Sequence, residues 1–542
     1  MANISSNPSR CVTSMPLRTD VLVIGGGPAG AWAAWSAASQ GANVILVEKG
    51  YCGTSGATAS TGSTVWYVPP IEEKRQAVIE KRLLLSGELA DRSWMYRVLE
   101  QTHQGVHNLE TWGYPFPLDD QGQVYRRSLQ GPEYMRLMRR QVIRAGVKIF
   151  DHSPALELLV TTDGTVAGAA GIHRQSGERW TVLAGAVVIA SGGCAFLSKA
   201  LGCNVLTGDG YLMAAEAGSE LSGMEFSNVY GIVAQGASVT KNAFFRWATF
   251  TTEDGSLIEG ANAGKGRPLI ARTLLKQPVY AQLEADERTK AAMRRAQPNF
   301  FLPFDRTSID PFSQRFPITL RLEGTVRGTG GLRIVDESCA TSVPGLYAAG
   351  DAASREIICG GTSGGGSLNA AWAISSGTWS GAAAARFAQS LGARLGDRPI
   401  FHLNGAGLTS SSYKEALLPN QVVSGVQDEV FPYDRNLFRS EQSLKNSISR
   451  LDNLWQTLNQ GLAFSPDQAL RAREAVAMTA TARWMYNTAL QRKESRGMHK
   501  REDYPDLDQT QNHRLISWGL DRVWVEPNGR SQSSLVKEAV AL

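Results

Sequence analysis

The sequence predicts an α/β protein with a helical C-terminal segment, and three observations carry the prediction. The first is Asp20-Val-Leu-Val-Ile-Gly25-Gly-Gly27-Pro-Ala-Gly30, followed by Val44-Ile-Leu-Val-Glu48-Lys49. A short β-branched run, a glycine-rich turn, a helix start and a second strand ending in an acid have the order and spacing of a dinucleotide-binding βαβ unit. The second is a glycine-rich block far downstream, Val343-Pro-Gly-Leu-Tyr-Ala-Ala-Gly350-Asp351 and then Gly360 to Leu368. The third is helical spacing of Leu444, Ile448, Leu451, Leu454, Trp455 and Leu458, with a Pro- and Gly-free stretch from Ala469 to Lys493.

Taken in order, Gly25, Gly27 and Gly30 let the chain turn tightly, so that a helix opening at Pro28-Ala29 can aim its N-terminus at a pyrophosphate. Glu48 falls near the position, about 20 residues on, where such folds bind a ribose hydroxyl, and Lys49 follows it. The loop after it holds Thr54, Ser55, Gly56, Ala57 and Thr58, small side chains that can lie against a flat ligand. Strands are predicted at 146–150, from Ala155 to Val160, and from Val166 to Ile172 after an Asp163-Gly164 turn. A buried strand ends at Ala190 and runs into Ser191-Gly192-Gly193, and Thr207-Gly-Asp209-Gly210 opens a helix. Downstream, Gly350-Asp351 reads as a strand end offering an acid to a cofactor hydroxyl. Gly366-Ser367-Leu368 opens an Ala-rich helix whose positive end suits a reduced flavin ring. One βαβ fingerprint fits NAD(P) as well as FAD, but the second block favours FAD alone.

At 542 residues the chain is too long for one core, and 43% hydrophobic with 19% charged residues is a globular enzyme's balance. A net charge of +5 without a block of like charges gives no nucleic-acid or membrane surface. The 6 cysteines, Cys11, Cys52, Cys194, Cys203, Cys339 and Cys359, form no CxxC pair, so no metal site is expected. No run approaches the ~18 apolar residues of a membrane span, and the polar start lacks a signal-peptide core, so a cytoplasmic location is expected.

These motifs, with Glu494-Ser-Arg-Gly-Met-His-Lys-Arg-Glu-Asp-Tyr-Pro505, resemble the succinate dehydrogenase/fumarate reductase flavoprotein family, which includes aspartate oxidase and the α chain of adenylylsulfate reductase. The resemblance implies a Rossmann-like FAD-binding domain in two pieces (1–235 and 326–395), an inserted α+β capping domain (236–325) and a C-terminal helical domain (400–542). It implies an FAD-dependent oxidoreductase, with hydride or electron-pair transfer between a small substrate and flavin N5. The charged 494–505 motif reads chiefly as a clamp onto the FAD domain, with a structural His499.

Departures from the family pattern are as informative. Where membrane-bound members carry FAD on a histidine, this chain has Gly56, so the FAD should be noncovalent. Two carboxylate anchors of dicarboxylate-handling members, a histidine and an arginine, are matched by Val326 and Thr362. Each would supply a charge-assisted hydrogen bond of ~1.5–3 kcal/mol, so succinate, fumarate and aspartate are poor candidates. Another small anion could be held by Arg327, Arg355, Arg246 or Arg267, the first two ranking highest because they flank the flavin segments; Arg272 and Arg267 could also be structural supports. Cys359 reads as a buried hydrophobe. Asp351 leans toward the adenylylsulfate reductase branch, whose members pass electrons to a separate ferredoxin-like iron–sulfur subunit. Two alternatives remain open: a noncatalytic electron-transfer or scaffold flavoprotein, and an oxidase using O₂.

Overall fold

A computed structural model describes residues 16–262, 266–392, 398–412 and 416–528, so Cys11 lies outside the described residues. The opening βαβ unit is β1 (Leu17–Ile24), α1 (Pro28–Ser39) and β2 (Val44–Val47). Parallel pairing sets Ile24 against Val47 on one side and, on the other, against Ile189 of β3 (Arg179–Ile189). β3 exceeds the predicted 186–190 because its two halves serve different neighbours. Residues 179–183 pair with the antiparallel strand Val166–Ile172, and 187–189 pair with the parallel strand Leu346–Ala348.

The resulting sheet has 8 strands. Four of its five parallel strand ends, at Ile24, Val47, Ile189 and Ala348, share one edge, where Gly25 N donates to Val47 O, Ala190 N to Ile24 O and Ala349 N to Ile189 O (2.8, 2.8 and 2.9 Å). Gly25, Glu48, Ala190 and Gly350 therefore emerge side by side, the place where open α/β sheets bind ligands. Over this sheet α1 lies against α2 (Gly365–Leu391) with backbones touching: a Cβ on Gly377 would sit 2.4 Å from Ala29 O and one on Gly381 2.1 Å from Ala33 O. Glycine is the residue that permits this approach. The contact joins the two glycine-rich blocks of the sequence into one body.

A second, antiparallel sheet of 4 strands runs in the spatial order 229–234, 316–324, 279–283, 248–252. With the helices Gly266–Leu274, Glu287–Ala296 and Pro298–Thr307 it encloses a phenylalanine core of Phe244, Phe245, Phe250, Phe300, Phe301, Phe304 and Phe316. This is an α+β unit, and its edge strand Val229–Ala234 starts before residue 236.

In the C-terminal segment, α3 (Glu441–Gln460) packs on α4 (Ala469–Gln491). α4 is buried on nearly every side, which its small Ala and Thr positions allow. The segment is not wholly helical: strands Leu515–Trp518 and Trp524–Pro527 form a hairpin that pairs with Leu221–Ser222. Between α4 and this hairpin, Glu494 accepts from Arg492 Nη1 (2.9 Å) and Arg496 Nε (2.6 Å), and Arg492 Nε donates to Glu225 (2.8 Å), all four side chains being 0% exposed. Met498 N donates to Gly361 O (2.7 Å), which ties the 494–505 motif to the second glycine-rich block. His499 is buried and neutral: burial, then Arg439 and Arg492, push its pKa well down, its Nδ1 accepts from Arg439 and its Nε2–H donates to Arg492 O.

The clamp also holds a carboxyl pair. Glu356, buried after the Asp351 segment, accepts from Ser222 Oγ (2.5 Å); burial first, and then the charge of Glu225, push its pKa up to about 7, against Arg514 and Arg492. Because the folded state then holds a proton that the unfolded chain releases at its lower pKa, stability falls as pH rises through that interval. Glu356→Gln is expected to flatten the decline of melting temperature between pH 5 and pH 8. An unchanged slope would contradict this assignment.

Candidate active site

The shared strand edge opens into a cavity of about 590 Å³. One end is built by Gly25, Gly27, Pro28 and Ala29 at the N-terminus of α1, with Glu48 at the end of β2. Glu48 is buried and accepts from Gly26 N (2.5 Å) and Gly50 N (2.7 Å), so one carboxylate fixes both turns while it lines the cavity. A Cβ on Gly27 or on Gly56 would meet nothing within 4 Å, so bare backbone faces the space there. Ser191 Oγ, also on the wall, is buried without a partner. This donor set, with α1 and α2 both starting at the cavity, fits a dinucleotide carrying a flavin.

Of the other predicted cofactor residues, Lys49, Ser55, Gly56, Ala57, Thr58, Ala155, Ala190, Gly192, Asp209, Gly350, Asp351 and Gly366 line the same cavity. Gly30, Thr54, Gly193, Thr207, Ser367 and Leu368 do not, and most of these shape the wall from behind. Gly30 packs α1 onto the turn, Gly193 packs on Thr325, and Thr207 accepts from Lys49 Nζ (2.8 Å) and donates to Asp209 (2.8 Å). Lys49 also pairs with Asp209 (2.5 Å) and Glu474 of α4 (2.7 Å). Burial alone would lower its pKa, and the two carboxylates more than reverse this. Lys49 is thus a charge already matched.

The four candidate arginines separate. Arg327 and Arg246 line the cavity. Arg327 Nη1 donates to Glu323 (2.8 Å), whose fully buried carboxylate also accepts from Thr240 Oγ1 (2.8 Å). Arg246 and Arg267 have no carboxylate within ion-pair distance among the described residues. Arg267 is reached by solvent although protein surrounds it, as in a concave place; that surrounding protein lowers its pKa first, and the charges of Arg327 and Arg246 lower it further against Glu323. Arg355 is the correction. It is 0% exposed and caged, donating to Asp351 and to the carbonyls of Thr325, Val326 and Gly328, so it stiffens the wall and does not reach a substrate. Arg272 pairs with Glu502 (2.9 Å) and stacks on Phe438, a support.

At the two positions matched to the family's anchors, the side chains carry no charge of their own, although the Arg82 guanidinium lies beside Thr362. Val326 is 2% exposed in an apolar cluster with Leu206, Cys203, Ala195 and Ala200. Thr362 donates to Cys359 O (3.1 Å) and accepts from Arg82 Nη2 (3.3 Å). Cys359 itself is buried, its thiol pKa raised by burial. Sequence reading missed Lys241, Asn369 and the Ser128–Gln130 strand, which all line the cavity. No local signal marks them: Gln130 arrives by pairing with Gly62, and Asn369 by the phase of α2.

Residues 20–230 match the family described as FAD binding domain, and residues 429–533 match the fumarate reductase flavoprotein C-terminal family. The chain belongs to the succinate dehydrogenase/fumarate reductase flavoprotein family. Within it, similar proteins include a chain of the CoM/CoB fumarate reductase of Methanothermobacter marburgensis, 25% identical over 90% of this chain and 94% of that one. The L-aspartate oxidase of Streptomyces coelicolor is also 25% identical, over 93% and 92%. An E. coli quinol fumarate reductase flavoprotein shares the fold with a TM-score of 0.78 at 18% identity, covering 96% of this chain and 98% of its own. Adenylylsulfate reductase from Archaeoglobus fulgidus does so at 0.74 and 20%, covering 96% of each. As a member of the family the protein is an FAD-dependent oxidoreductase. Among the described residues no helix is long and apolar enough to cross a membrane.

Proposed function

We propose that this flavoprotein oxidises or reduces a small anionic substrate other than succinate, fumarate or aspartate, and that the substrate binds between the FAD-binding sheet and the antiparallel cap. The observation that carries the reading is the set of cap arginines: Arg246, on the cavity wall with Arg327, and Arg267, which lies outside the wall but close enough to feel the charge of both, have no acidic partner within ion-pair distance among the described residues. Cations held together without counterions repel, and an anionic ligand relieves that repulsion. Bound FAD supplies the two-electron chemistry, and the chain supplies orientation and charge. Gly25, Gly27 and the α1 N-terminus hold the pyrophosphate, Glu48 the ribose, and the α2 N-terminus at Gly365–Gly366 the electron-rich end of the flavin. Arg327, fixed by buried Glu323, orients the substrate.

Val326 and Thr362 argue against the family's dicarboxylate geometry, since neither side chain supplies a charged donor of its own. Electrons then pass to a separate ferredoxin-like iron–sulfur subunit, in keeping with the lean of Asp351 toward the adenylylsulfate reductase branch. Gly56, with open space at its Cβ and φ of +85°, suits a noncovalent flavin. Acid precipitation is accordingly expected to leave a white pellet under a yellow supernatant; a yellow pellet would overturn this.

The deciding experiment is anaerobic bleaching of the flavin band with succinate, with aspartate, and with sulfite plus AMP. Rapid bleaching by either dicarboxylate would sink the argument from Val326 and Thr362. With the reductant that works, Arg246→Met is expected to lower kcat/KM about 10- to 100-fold while flavin stays bound, the loss of one charge-assisted hydrogen bond.

A further inference from the structure

We infer that Lys241 is an anchor for an anionic group of the substrate, delivered from the cap onto the wall that faces the flavin. The inference rests on the anionic-substrate reading and adds to it a residue that no motif marks. Lys241 lies between the strand Val229–Ala234 and the turn Phe244–Trp247, and it lines the cavity. Its ammonium crosses to the FAD-binding side, where Nζ donates to Ala57 O (3.0 Å) and approaches Cys203 Sγ at 3.8 Å.

An ammonium carries three protons. One goes to the carbonyl and one, weakly, to a sulfur. Burial raises the Cys203 pKa against the pull of Lys241, so the thiol stays protonated and is no counterion. The nearby acids are already engaged: Asp351 is held by Arg355, and Glu323 by Arg327 and Thr240. Among the described residues no carboxylate pairs with Lys241 within 4.0 Å. Lys241 therefore has a donor left for an anionic ligand, and the carboxyl group that feels its charge, Asp351, is itself held by Arg355.

The position matters as much as the charge. Cys203 packs with Leu206 and Val326, and Ala57 lies against the same cluster. Val326 alone therefore presents hydrocarbon where the family resemblance sets a carboxylate-gripping histidine. Lys241 brings a cation to that hydrocarbon wall from a different element, so the anchor given up at position 326 returns with altered geometry and a different specificity. Gln297 Nε2 holds the Lys241 carbonyl (2.9 Å), which limits where the side chain can start.

Lys241 also bridges cap and FAD-binding side, so its test must separate anchoring from latching. A second bridge, Asn299 Nδ2 to Ser60 O (3.2 Å), provides the control. In the holoprotein, oxalate, acetate and inorganic phosphate are titrated while the visible flavin difference spectrum is followed. The wild type is expected to give a saturable shift with at least one of them. For that anion, Lys241→Met should bind about 10- to 100-fold more weakly and Lys241→Arg within about tenfold of wild type, whereas Asn299→Ala should match wild type. If Lys241→Met fails to retain flavin, Lys241→Gln, which keeps a donor toward Ala57 without the charge, carries the same comparison. Unchanged affinity in the uncharged variants, or an equal loss in Asn299→Ala, overturns the anchor while leaving the anionic-substrate reading intact. Absence of any shift in the wild type overturns both.

Discussion

Gly30→Val is expected to yield protein that purifies without its yellow colour. A Cβ at position 30 would sit 1.8 Å from Gly25 O and 3.3 Å from Ala190 Cβ. Neither neighbour can yield cheaply. Gly25 has φ of +109°, its N–H is bonded to Val47 O, and a Cβ on it would lie 2.4 Å from Ala190 O, so the turn is already packed against β3. α1 must instead move away from the sheet, taking with it the N–H groups of the proposed pyrophosphate site. Overpacking alone costs about 1–3 kcal/mol. Losing the cofactor removes a further ~2.7 kcal/mol if FAD is normally present at a hundredfold excess over its Kd. The ratio of 450 to 280 nm absorbance and the melting temperature test this together; full flavin content in the variant would contradict the assigned role of the turn.

The second large effect is expected at Glu494, far from any substrate. Glu494→Ala leaves Arg496 buried with carbonyl partners only, and leaves Arg492 with Glu225 as its remaining ion pair beside the carbonyls of Gln511 and His513. Removing one member of a buried ion network costs about 3–5 kcal/mol, because a charge is left in a dry place. Set against a typical total of about 5–15 kcal/mol, this should remove most of the soluble yield. Glu494→Gln keeps an acceptor and should recover part of it. Arg136→Ala, which breaks the exposed pair with Glu133, should change stability by less than about 1 kcal/mol. A Glu494→Ala protein that melts with the wild type would show that the network is not holding the clamp.

Local chemistry explains which parts of this molecule could be read in advance. The βαβ unit was legible because strand, glycine turn, helix and acid are contiguous, and the helical tail because apolar spacing repeats every 3.6 residues. Lys49 could be located but not understood, since its partner Glu474 lies on α4, hundreds of residues away. Arg355 ranks with Arg327 in the sequence because both flank the cofactor segments; only the fold decides that one guanidinium is caged by carbonyls and the other faces the cavity. The Ser128–Gln130 strand owes its place to long-range pairing, Lys241 to hydrogen bonds with Ala57 and Gln297, and the 515–527 hairpin to Leu221–Ser222. Such pairings leave no periodic trace in the chain.

The touching backbones of α1 and α2 bear on how the protein is made. α1 leaves the ribosome early, but its partner surface around Gly377 and Gly381 is among the later parts synthesised. At about 5–20 residues per second, the nascent first unit waits on the order of tens of seconds with an apolar helix face uncovered. Until α2 is made, the cavity lacks the wall that Gly365, Gly366, Asn369, Ala370 and Ala373 supply. Flavin capture is therefore expected to wait for Gly365–Leu391, more than 300 positions after the turn at Gly25–Gly30.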